Sequence, residues 1–183
     1  MSLEKGIFAK EWKKLTFIPI PKVTTSNRPE DQRPINMLPL YEKVLETIVK
    51  EQLLTFIERE DILLTEQSGF RKQHSCESAL NLILLKWKQS LEKNKTTLTV
   101  LVDLKRAFET IDRQKLIEVL RRHGLAGNAL KWFSNYLEDR TQVTRFNGFV
   151  SPEVTVNLGV PQGSVLGPLL FILYMNDIKK ALT

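Results

Sequence analysis

Residues 159–169 read Gly-Val-Pro-Gln-Gly-Ser-Val-Leu-Gly-Pro-Leu, the most distinctive stretch of this 183-residue chain. Three glycines and two prolines in eleven residues are incompatible with the middle of a strand or a helix. They predict a shaped loop that leads into a helix, since proline suits a first helical turn. Such a loop lets its backbone approach a ligand closely, and Gln162 could hydrogen-bond the edge of a base or a sugar. An ordinary strand–turn–helix connection would use the same residues, so the loop alone leaves both interpretations open.

A second distinctive stretch is Leu-Val-Asp-Leu-Lys-Arg-Ala-Phe at residues 101–108. It continues a run rich in Thr, Val and Leu over residues 97–104, which predicts a buried strand. Asp103 lies inside this run, where an ionised carboxylate is costly unless it binds a cation or finds hydrogen-bond partners. On this pattern alone, metal binding and capping of the next turn are equally compatible with Asp103.

The remaining pattern is mostly helical. Apolar residues recur at helical spacing over residues 41–57, 80–91, 116–120 and 130–137, and a last helix is expected over about 168–181. Asp112 can cap the third of these helices and Gly124 can end it. Two prolines make residues 17–22 extended and keep them off a central strand, and residues 24–32 are expected to form a polar loop. Residues 142–146 and 154–157, with Asn147-Gly148 between them, predict a β-ribbon whose link is longer than a tight hairpin. The class is therefore α+β with few strands for a sheet.

Composition and charge narrow the class of protein. Hydrophobic residues make up 42% and charged residues 26%, which is typical of a globular chain. One cysteine excludes an internal disulfide framework and a multi-cysteine zinc site, and two histidines exclude a histidine-rich metal centre. The net charge of +6 suggests a polyanionic partner. No signal peptide opens the chain, and its longest apolar run, residues 165–175, is too short to span a bilayer. A soluble intracellular protein is expected, in either the nucleus or the cytoplasm.

Together, the two distinctive stretches resemble reverse transcriptases, specifically the reverse transcriptase domains of eukaryotic non-LTR retrotransposons. The 159–169 string is the most specific part, because chance agreement at about ten positions is negligible. The resemblance extends in order and spacing over almost the whole chain. Further matching positions are Trp12-Lys13, residues 18–22, Arg33-Pro34-Ile35, Leu38-Pro39, residues 43–46, Gly69-Phe70-Arg71, Trp132, Tyr136-Leu137, Arg140, Tyr174 and Asn176-Asp177-Ile178.

The resemblance implies an α+β right-hand polymerase fold. The fingers would occupy about residues 1–96, and residues 97–183 would form a partial palm with some fingers elements. The family's second metal-binding segment is Tyr-x-Asp-Asp on a β-hairpin. Residues 174–177 are similar in letters, but they fall near the end of the expected last helix, where the family has a Tyr-x-Asn-Asp stretch.

We therefore expect the chain to end before the Tyr-x-Asp-Asp hairpin, which would leave the palm sheet incomplete at its C-terminus. The missing C-terminal palm and thumb segments would belong to a longer chain. This fragment alone is expected to extend no primer and to fold marginally, because Val100, Val102 and the apolar face of residues 169–173 would lack their cover.

The resemblance also implies an activity, RNA-directed DNA polymerase. Such an enzyme copies an RNA template from a DNA primer with deoxynucleoside triphosphates, using two Mg²⁺ ions that Mn²⁺ can replace. Asp103 matches the first metal-binding carboxylate, and the Leu104 carbonyl would be a further metal ligand. Phe108 matches the aromatic residue under the incoming sugar, although a core aromatic would look the same. Gln162 and Gly163 match the loop near the incoming nucleotide.

Three cations are expected to contact the substrates. Arg71, in the fingers segment, would meet triphosphate or template through its bidentate guanidinium. Lys22 and Arg33 would touch the template backbone or stabilise the fingers. For all three residues a surface cation is the alternative.

Two other classes of function remain open from the sequence. One is a non-catalytic nucleic-acid-binding remnant of a retroelement, which the charge and the retained fingers would allow. The other is an RNA-templated RNA polymerase or an intron maturase, which shares the palm. Phe108 disfavours ribonucleotides, and the 159–169 string is closer to non-LTR elements.

Overall fold

The computed structural model describes residues 2–21, 28 and 31–178, without the side chains of residues 33 and 34. It contains both helices and a sheet, so the mixed α and β composition of the expected class is confirmed. The elements in chain order are α1 (Ser2–Lys5), a 3-10 helix (Lys10–Lys13), β1 (Lys14–Pro21), β2 (Gln32–Met37), α2 (Leu40–Arg59), α3 (Cys76–Glu92), α4 (Arg113–Arg122), α5 (Gly127–Leu137), β3 (Arg140–Phe146), β4 (Phe149–Val150), β5 (Val154–Val156) and α6 (Gly167–Met175).

The sheet has the strand order β2-β1-β3-β4, and β5 also pairs with β3. β1 runs antiparallel to β2 and parallel to β3, while β4 and β5 are antiparallel to β3. Asn147 and Gly148, both at positive φ, make the tight turn between β3 and β4. The β-ribbon predicted between residues 142–146 and 154–157 is confirmed by the pairing of β3 with β5, whereas the tight turn to β4 was not predicted.

Residues 17–21 are extended, as predicted, and they belong to β1, which is a central strand. The expectation that they stay off such a strand is wrong at Phe17, where β1 pairs on both sides. β1 lies between β2 and β3, but among the described residues its pairing with β3 reaches only from Lys14 to Phe17. Pro19 and Pro21 lie beyond that point, in the part of β1 that pairs with β2 alone. Backbone N–H donors are therefore needed there on one side of the strand only. Pro19 stands opposite Pro34, and antiparallel ladders alternate positions that exchange hydrogen bonds with positions that do not. Two prolines fit opposite each other only at the second kind of position. Residue 22 and most of the expected 24–32 loop lie outside the described residues.

The core lies between α2, α4, α5 and α6. Val49, Leu53 and Ile57 recur every four residues along α2, so they share the face that the helix buries. They belong to one apolar cluster whose other fully buried members include Leu116, Leu120, Trp132, Tyr136, Leu169 and Leu170. Burying each such side chain stabilises the fold by roughly 1.5–3 kcal/mol.

The expectation that residues 169–173 lack their cover is wrong. Leu169, Leu170, Ile172 and Leu173 are all buried, because the described helices already enclose α6.

Local signals set the ends of α4 as predicted. The Asp112 carboxylate accepts hydrogen bonds from the backbone N–H groups of Gln114 and Lys115, at 3.0 and 3.1 Å. At the other end, Gly124 adopts φ +95° and the Leu125 N–H donates to the Leu120 carbonyl at 3.1 Å. Such a left-handed residue followed by a backward hydrogen bond is a common helix stop. α2, α3 and α5 also form where the apolar spacing predicts them, and α6 ends at Met175.

Residues 76–104, which we call the 76–104 arm, differ most from expectation. α3 forms, with Ser75 and Ser78 as a capping box, yet none of its residues is buried. Residues 97–104 are not a strand, and the side chains of Val100 and Leu101 are 75% and 93% exposed. A strand needs a neighbour for its backbone N–H and C=O groups, and no described strand pairs with this run. The buried strand predicted over residues 97–104 is therefore wrong for this structure, whereas the exposure expected for Val100 and Val102 is confirmed.

None of the helices among the described residues combines the length and apolar character needed to cross a membrane.

Candidate functional site

The loop between β5 and α6, residues 157–166, is called the Gln162 loop here. Gly159 and Gly163 adopt φ +78° and +98°, in the region that favours glycine. A Cβ at Gly159 would lie 2.8 Å from the Phe108 carbonyl oxygen and from the Glu109 backbone. Gly159 is therefore needed both for its dihedral angle and for close approach to the segment that carries Phe108.

The Gln162 loop is hydrogen-bonded directly to residues 108–111. The Gly159 N–H donates to the Ile111 carbonyl at 2.7 Å, and the Val160 N–H donates to the Phe108 carbonyl at 2.9 Å. On its other side, the Gln162 carbonyl accepts a hydrogen bond from the Asn36 N–H of β2 at 3.2 Å. The two distinctive stretches of the sequence, about 50 residues apart in the chain, are thus brought together by backbone contacts.

Phe108 is half-buried at this junction. Its ring centroid lies 5.0 Å from that of Phe171 in α6 and 6.4 Å from that of Phe70. Phe70 belongs to the Gly69-Phe70-Arg71 segment, so this segment also reaches the site. The ring packs against the core but remains partly exposed, which fits both interpretations of Phe108 made from the sequence.

Asp103 and Leu104 lie on the exposed arm just before this junction. Among the described residues, no group of three His, Cys, Asp or Glu side chains is placed to hold a metal ion. A carboxylate and a backbone carbonyl are the oxygen ligands that hard divalent cations prefer, so the chemistry of this donor pair fits such a cation. The pair supplies only part of a coordination sphere. Neighbouring Glu109 is engaged elsewhere, since its carboxylate binds Arg106 at 2.7 Å.

Arg71 is held partly by the fold itself. Its Nη1 donates to the Leu64 carbonyl at 3.0 Å. The segment that accepts this hydrogen bond, residues 62–64, is itself fixed by Asn176. The Asn176 Nδ2 donates to the Ile62 carbonyl, and its Oδ1 accepts from the Leu64 N–H. The expected contact of Arg71 with substrate stays a prediction.

The other residues predicted to contact substrates are placed less fully. Lys22 lies outside the described residues, and Arg33 is in β2 opposite Ile20, where only its backbone is described. Gly163 is exposed, and a Cβ there would lie 3.2 Å from the Asn36 carbonyl oxygen.

Residues 174–177 are not on a hairpin. α6 ends at Met175 with Asn176 as its C-cap, and the Asp177 carboxylate pairs with Arg122 at 2.7 Å. Tyr174 to Asp177 therefore tie the end of α6 to its neighbours, in agreement with the sequence-based rejection of this tetrapeptide as the second metal-binding segment.

A buried ionic network stands behind the Gln162 loop, and sequence reasoning missed it. Arg140 is fully buried, with its guanidinium 4.4 Å from the ring centroid of Tyr136 and its Nη2 3.4 Å from Glu42 Oε1. The Tyr136 hydroxyl donates to Glu46 Oε1 at 2.6 Å, and the Val165 N–H of the Gln162 loop donates to Glu46 Oε2 at 2.6 Å. Glu42 and Glu46 precede Val49 and Leu53 on one helical face, and that spacing is the signal that could have located them.

Burial sets the protonation of this network. Loss of water raises the pKa of Glu42 to about 7, against the opposing charge of Arg140. Burial also raises the pKa of Glu46, although its two hydrogen bonds favour the ionised form. The pKa of the Tyr136 hydroxyl lies well above its ordinary value for the same reason, so this residue acts as a neutral hydrogen-bond donor.

Arg113 is a further buried cation, and the sequence did not single it out. Its Nε and Nη2 donate to the carbonyls of Gly159 and Leu158 at 2.8 and 3.0 Å, and its Nη1 donates to the Val156 carbonyl. Burial lowers the pKa of Arg113 to about 10, which leaves it charged at neutral pH. Its three acceptors are backbone atoms more than 40 residues away in the chain, so no side-chain pattern announces this contact.

Comparison with known proteins assigns a family to this arrangement. Residues 20–183 match the family model described as reverse transcriptase (RNA-dependent DNA polymerase). The chain is 31% identical to a probable RNA-directed DNA polymerase from the transposon X-element of Drosophila melanogaster, over 82% of the chain and 16% of that protein. It is 29% identical to the RNA-directed DNA polymerase from the mobile element jockey of the same species, over 96% of the chain and 19% of that protein.

A Pol polyprotein from the type-2 retrotransposable element R2DM of Drosophila melanogaster is 26% identical, over 89% of the chain and 15% of that protein. The chain thus spans less than a fifth of the length of these relatives. Because the family model covers nearly all of the sequence, the resemblance drawn from residues 101–108 and 159–169 is confirmed. The chain belongs to the reverse transcriptase (RNA-dependent DNA polymerase) family.

Proposed function

We propose that this chain forms the fingers and part of the palm of a mobile-element RNA-directed DNA polymerase. That enzyme would add deoxynucleotides to a DNA primer along an RNA template. The observation that carries the proposal is the backbone junction between residues 108–111 and the Gln162 loop. This junction places the two stretches that resemble the family's nucleotide site beside each other.

The junction provides the nucleotide side of the site. The Phe108 ring is braced by Phe171, so it would present a fixed apolar surface to the sugar of an incoming nucleotide. A rigid aromatic ring at that point leaves no room for a 2′-hydroxyl, which would favour deoxynucleotides. Gln162 would bind the nucleotide from the other side of the junction. Replacing Phe108 by valine is expected to raise the incorporation of ribonucleotides relative to deoxynucleotides.

Asp103 and the Leu104 carbonyl provide the metal side. They would hold a divalent cation, Mg²⁺ in this proposal, together with carboxylates that the described residues do not bring to this place. A bound divalent cation supplies the Lewis-acid chemistry that phosphoryl transfer needs. In this proposal Asp103, five residues before Phe108 in the chain, would bring the bound cation close to the sugar of the incoming nucleotide.

The net charge of +6 supports binding of the template–primer duplex. Lys22, Arg33 and Arg71 would neutralise backbone phosphates or the triphosphate. Binding that depends on such contacts weakens steeply as salt rises, because the counterions released on binding gain less entropy when they enter a more concentrated salt solution. We therefore expect the affinity for an RNA–DNA duplex to fall as the salt concentration increases.

Primer extension tests the polymerase proposal. The assay uses an RNA template, a DNA primer and deoxynucleoside triphosphates, with the 183-residue chain and with any longer product found by sequencing the transcript past the codon for Thr183. We expect the longer product to extend the primer and Asp103→Asn to reduce extension to background. Glu118→Gln, the same charge change on the exposed side of α4, should leave extension unchanged. Undiminished extension by Asp103→Asn would contradict the proposal.

A second candidate function is binding of nucleic acid without catalysis. The exposed position of Asp103, with no acidic cluster around it among the described residues, favours this alternative for the 183-residue chain. The expected result is salt-dependent affinity for template with no effect of added deoxynucleoside triphosphate. Mg²⁺-dependent extension by the 183-residue chain, lost in Asp103→Asn, would contradict it.

A further inference from the structure

Two buried charged side chains hold the Gln162 loop, one near each of its ends. Near the start, Arg113 of α4 donates to the backbone carbonyls of Val156, Leu158 and Gly159. Near the end, Glu46 of α2 accepts from the Val165 N–H. The loop is thus attached to two different helices of the core by side-chain contacts, in addition to its backbone bonds.

The side chain of Arg113 is 9% exposed, and its guanidinium donates hydrogen bonds to backbone carbonyl oxygens. Burying a cation costs free energy, which hydrogen bonds to carbonyl dipoles offset only if those carbonyls are held in place. The three carbonyls belong to residues 156–159, at the end of β5 and the start of the Gln162 loop. An apolar side chain would fill this space without the cost of burying a charge. The hydrogen bonds of Arg113 therefore serve to fix the backbone of residues 156–159.

Glu46 joins three elements through one carboxylate. Its Oε1 accepts from the Tyr136 hydroxyl of α5, and its Oε2 accepts from the loop, each at 2.6 Å. The side chain is fully buried, where an ionised carboxylate is costly and where leucine would pack without that cost. Tyr136 fixes the rotamer of Glu46, and Glu46 in turn fixes the backbone at Val165.

Gln162 lies between these two attachment points. Its carbonyl is bonded to β2 through the Asn36 N–H, while its side-chain Oε1 is buried with no hydrogen-bond partner among the described residues. A buried acceptor without a partner is uncommon and costs free energy. The Gln162 backbone is therefore fixed, while its side-chain acceptor gains a hydrogen bond from a ligand only when the side chain turns toward a donor.

We propose that Glu46 and Arg113 are positioning residues, which set the place of Gln162 by holding the two ends of its loop. The inference rests on the proposed function for the identity of the ligand, a deoxynucleoside triphosphate, whereas the holding itself does not depend on that function. Glu46 acts through Val165 and Arg113 through residues 156–159, and neither touches the nucleotide.

The holding is tested by amide hydrogen exchange in the 183-residue chain. Glu46→Leu keeps the volume and removes the acceptor, so exchange at Val165 should accelerate by about tenfold or more, as expected for loss of a charge-assisted hydrogen bond. Glu46→Gln retains one acceptor oxygen and can donate to the Tyr136 oxygen, so it should restore most of the protection. Exchange in residues 116–120 of α4 is the internal reference, and Glu51→Leu, on the exposed side of α2, is the matched control.

Arg113→Lys provides a second variant, which keeps the charge but cannot donate in three fixed directions. We expect faster exchange at Gly159 and Val160 with unchanged exchange in α5, and no such change in Arg121→Lys on the exposed side of α4. Unaltered loop exchange in both Glu46→Leu and Arg113→Lys, or an equal rise throughout the chain, would overturn the proposal.

The effect of the loop position on nucleotide binding is tested by primer extension. The assay uses the shortest polypeptide encoded by this reading frame that extends a primer. Glu46→Leu should raise the KM for deoxynucleoside triphosphate several-fold while primer affinity stays the same, and Glu46→Gln should return KM toward the original value. Faster loop exchange with unchanged KM and kcat would overturn the positioning role. If no product extends a primer, the proposed function fails by itself, and the exchange experiment still decides whether the two residues hold the loop.

Discussion

Replacing Glu42 by glutamine should make the protein more resistant to a rise in pH. Glu42 is fully buried beside Arg140, and loss of water raises its pKa from the ordinary value of 4.5 to about 7. Between these two values the folded protein binds more protons than the unfolded chain. The stability contributed by this group is therefore fully present below about pH 4.5 and is lost as the pH rises through about 7. Glutamine does not titrate, so the variant lacks this loss.

The size of the effect follows from the shift. A change of one pKa unit corresponds to about 1.4 kcal/mol, so the raised pKa of Glu42 costs about 3 kcal/mol once the carboxylate is ionised in both states. Roughly 2.5 kcal/mol of this cost falls between pH 5 and pH 8, because part of it has already been met at the lower pH. The altered contact with Arg140 adds an offset that does not change with pH. For a chain of this length the difference corresponds to a shift in Tm of about 5–10 °C between the two conditions.

Urea unfolding of the original chain and of Glu42→Gln at pH 5 and pH 8 measures this difference. Glu51→Gln changes the same charge on the exposed side of α2 and controls for net charge. We expect the advantage of Glu42→Gln over the original chain to grow with pH. If the ion pair with Arg140 outweighed burial, the ionised form of Glu42 would be favoured and the sign would reverse. A variant that becomes relatively less stable as the pH rises would thus refute the reasoning.

Three further predictions concern the loop, the arm and the cap of α4. Gly159→Ala should cost about 2 kcal/mol more in urea unfolding than Gly148→Ala, because both have positive φ but only Gly159 lacks room for a Cβ; equal costs would show that the close approach is not restrictive. Brief trypsin treatment should cut first at the lysines of residues 86–95, whose arm buries no side chain; first cuts within α4 or α5 would contradict this. Asp112→Ala should lower the free energy of unfolding by about 1 kcal/mol through loss of the N-cap, whereas Glu118→Ala should change it little.

Elements with short-range causes follow directly from the sequence. Asp112 caps α4 through its own backbone neighbours, Gly124 ends that helix in a left-handed conformation, and Asn147-Gly148 makes a tight turn between two short strands. In each case residues within five positions of one another contain the whole interaction. The apolar spacing of α2 and α5 is equally local. These features are therefore legible without knowledge of the rest of the fold.

Features that depend on partners distant in the chain cannot be predicted from the local sequence in this way. The prolines of β1 indicate an edge strand, and they do lie where β1 pairs with β2 alone. The strand is nevertheless central, because its residues before the prolines also pair with β3. Residues 97–104 have a strand-like composition, but composition does not supply the neighbouring backbone that a strand requires. Arg113 binds carbonyl oxygens, which every residue carries, so its role has no sequence pattern.

The predicted site residues divide along the same line. Phe108 and Gln162 are brought together because their segments bond to each other and to buried helices, through contacts within residues 36–171. Asp103 is five residues from Phe108 in the chain, but it belongs to a segment whose backbone is unpaired among the described residues. The proposed nucleotide side of the site is thus ordered by the core, whereas the segment that carries Asp103 is unpaired among the described residues.

That division links metal binding to strand pairing. Successive side chains of a strand point to opposite faces, so the direction of Asp103 would be set only when residues 97–104 pair with a neighbour. A neighbouring strand would also cover Val100 and Val102, whose burial would help to stabilise the pairing. Pairing of this run with a neighbouring strand would therefore bury its apolar side chains and orient the Asp103 carboxylate at the same time. Under the proposed function, the strand that covers the run would also determine whether Asp103 faces the sugar that Phe108 is proposed to contact.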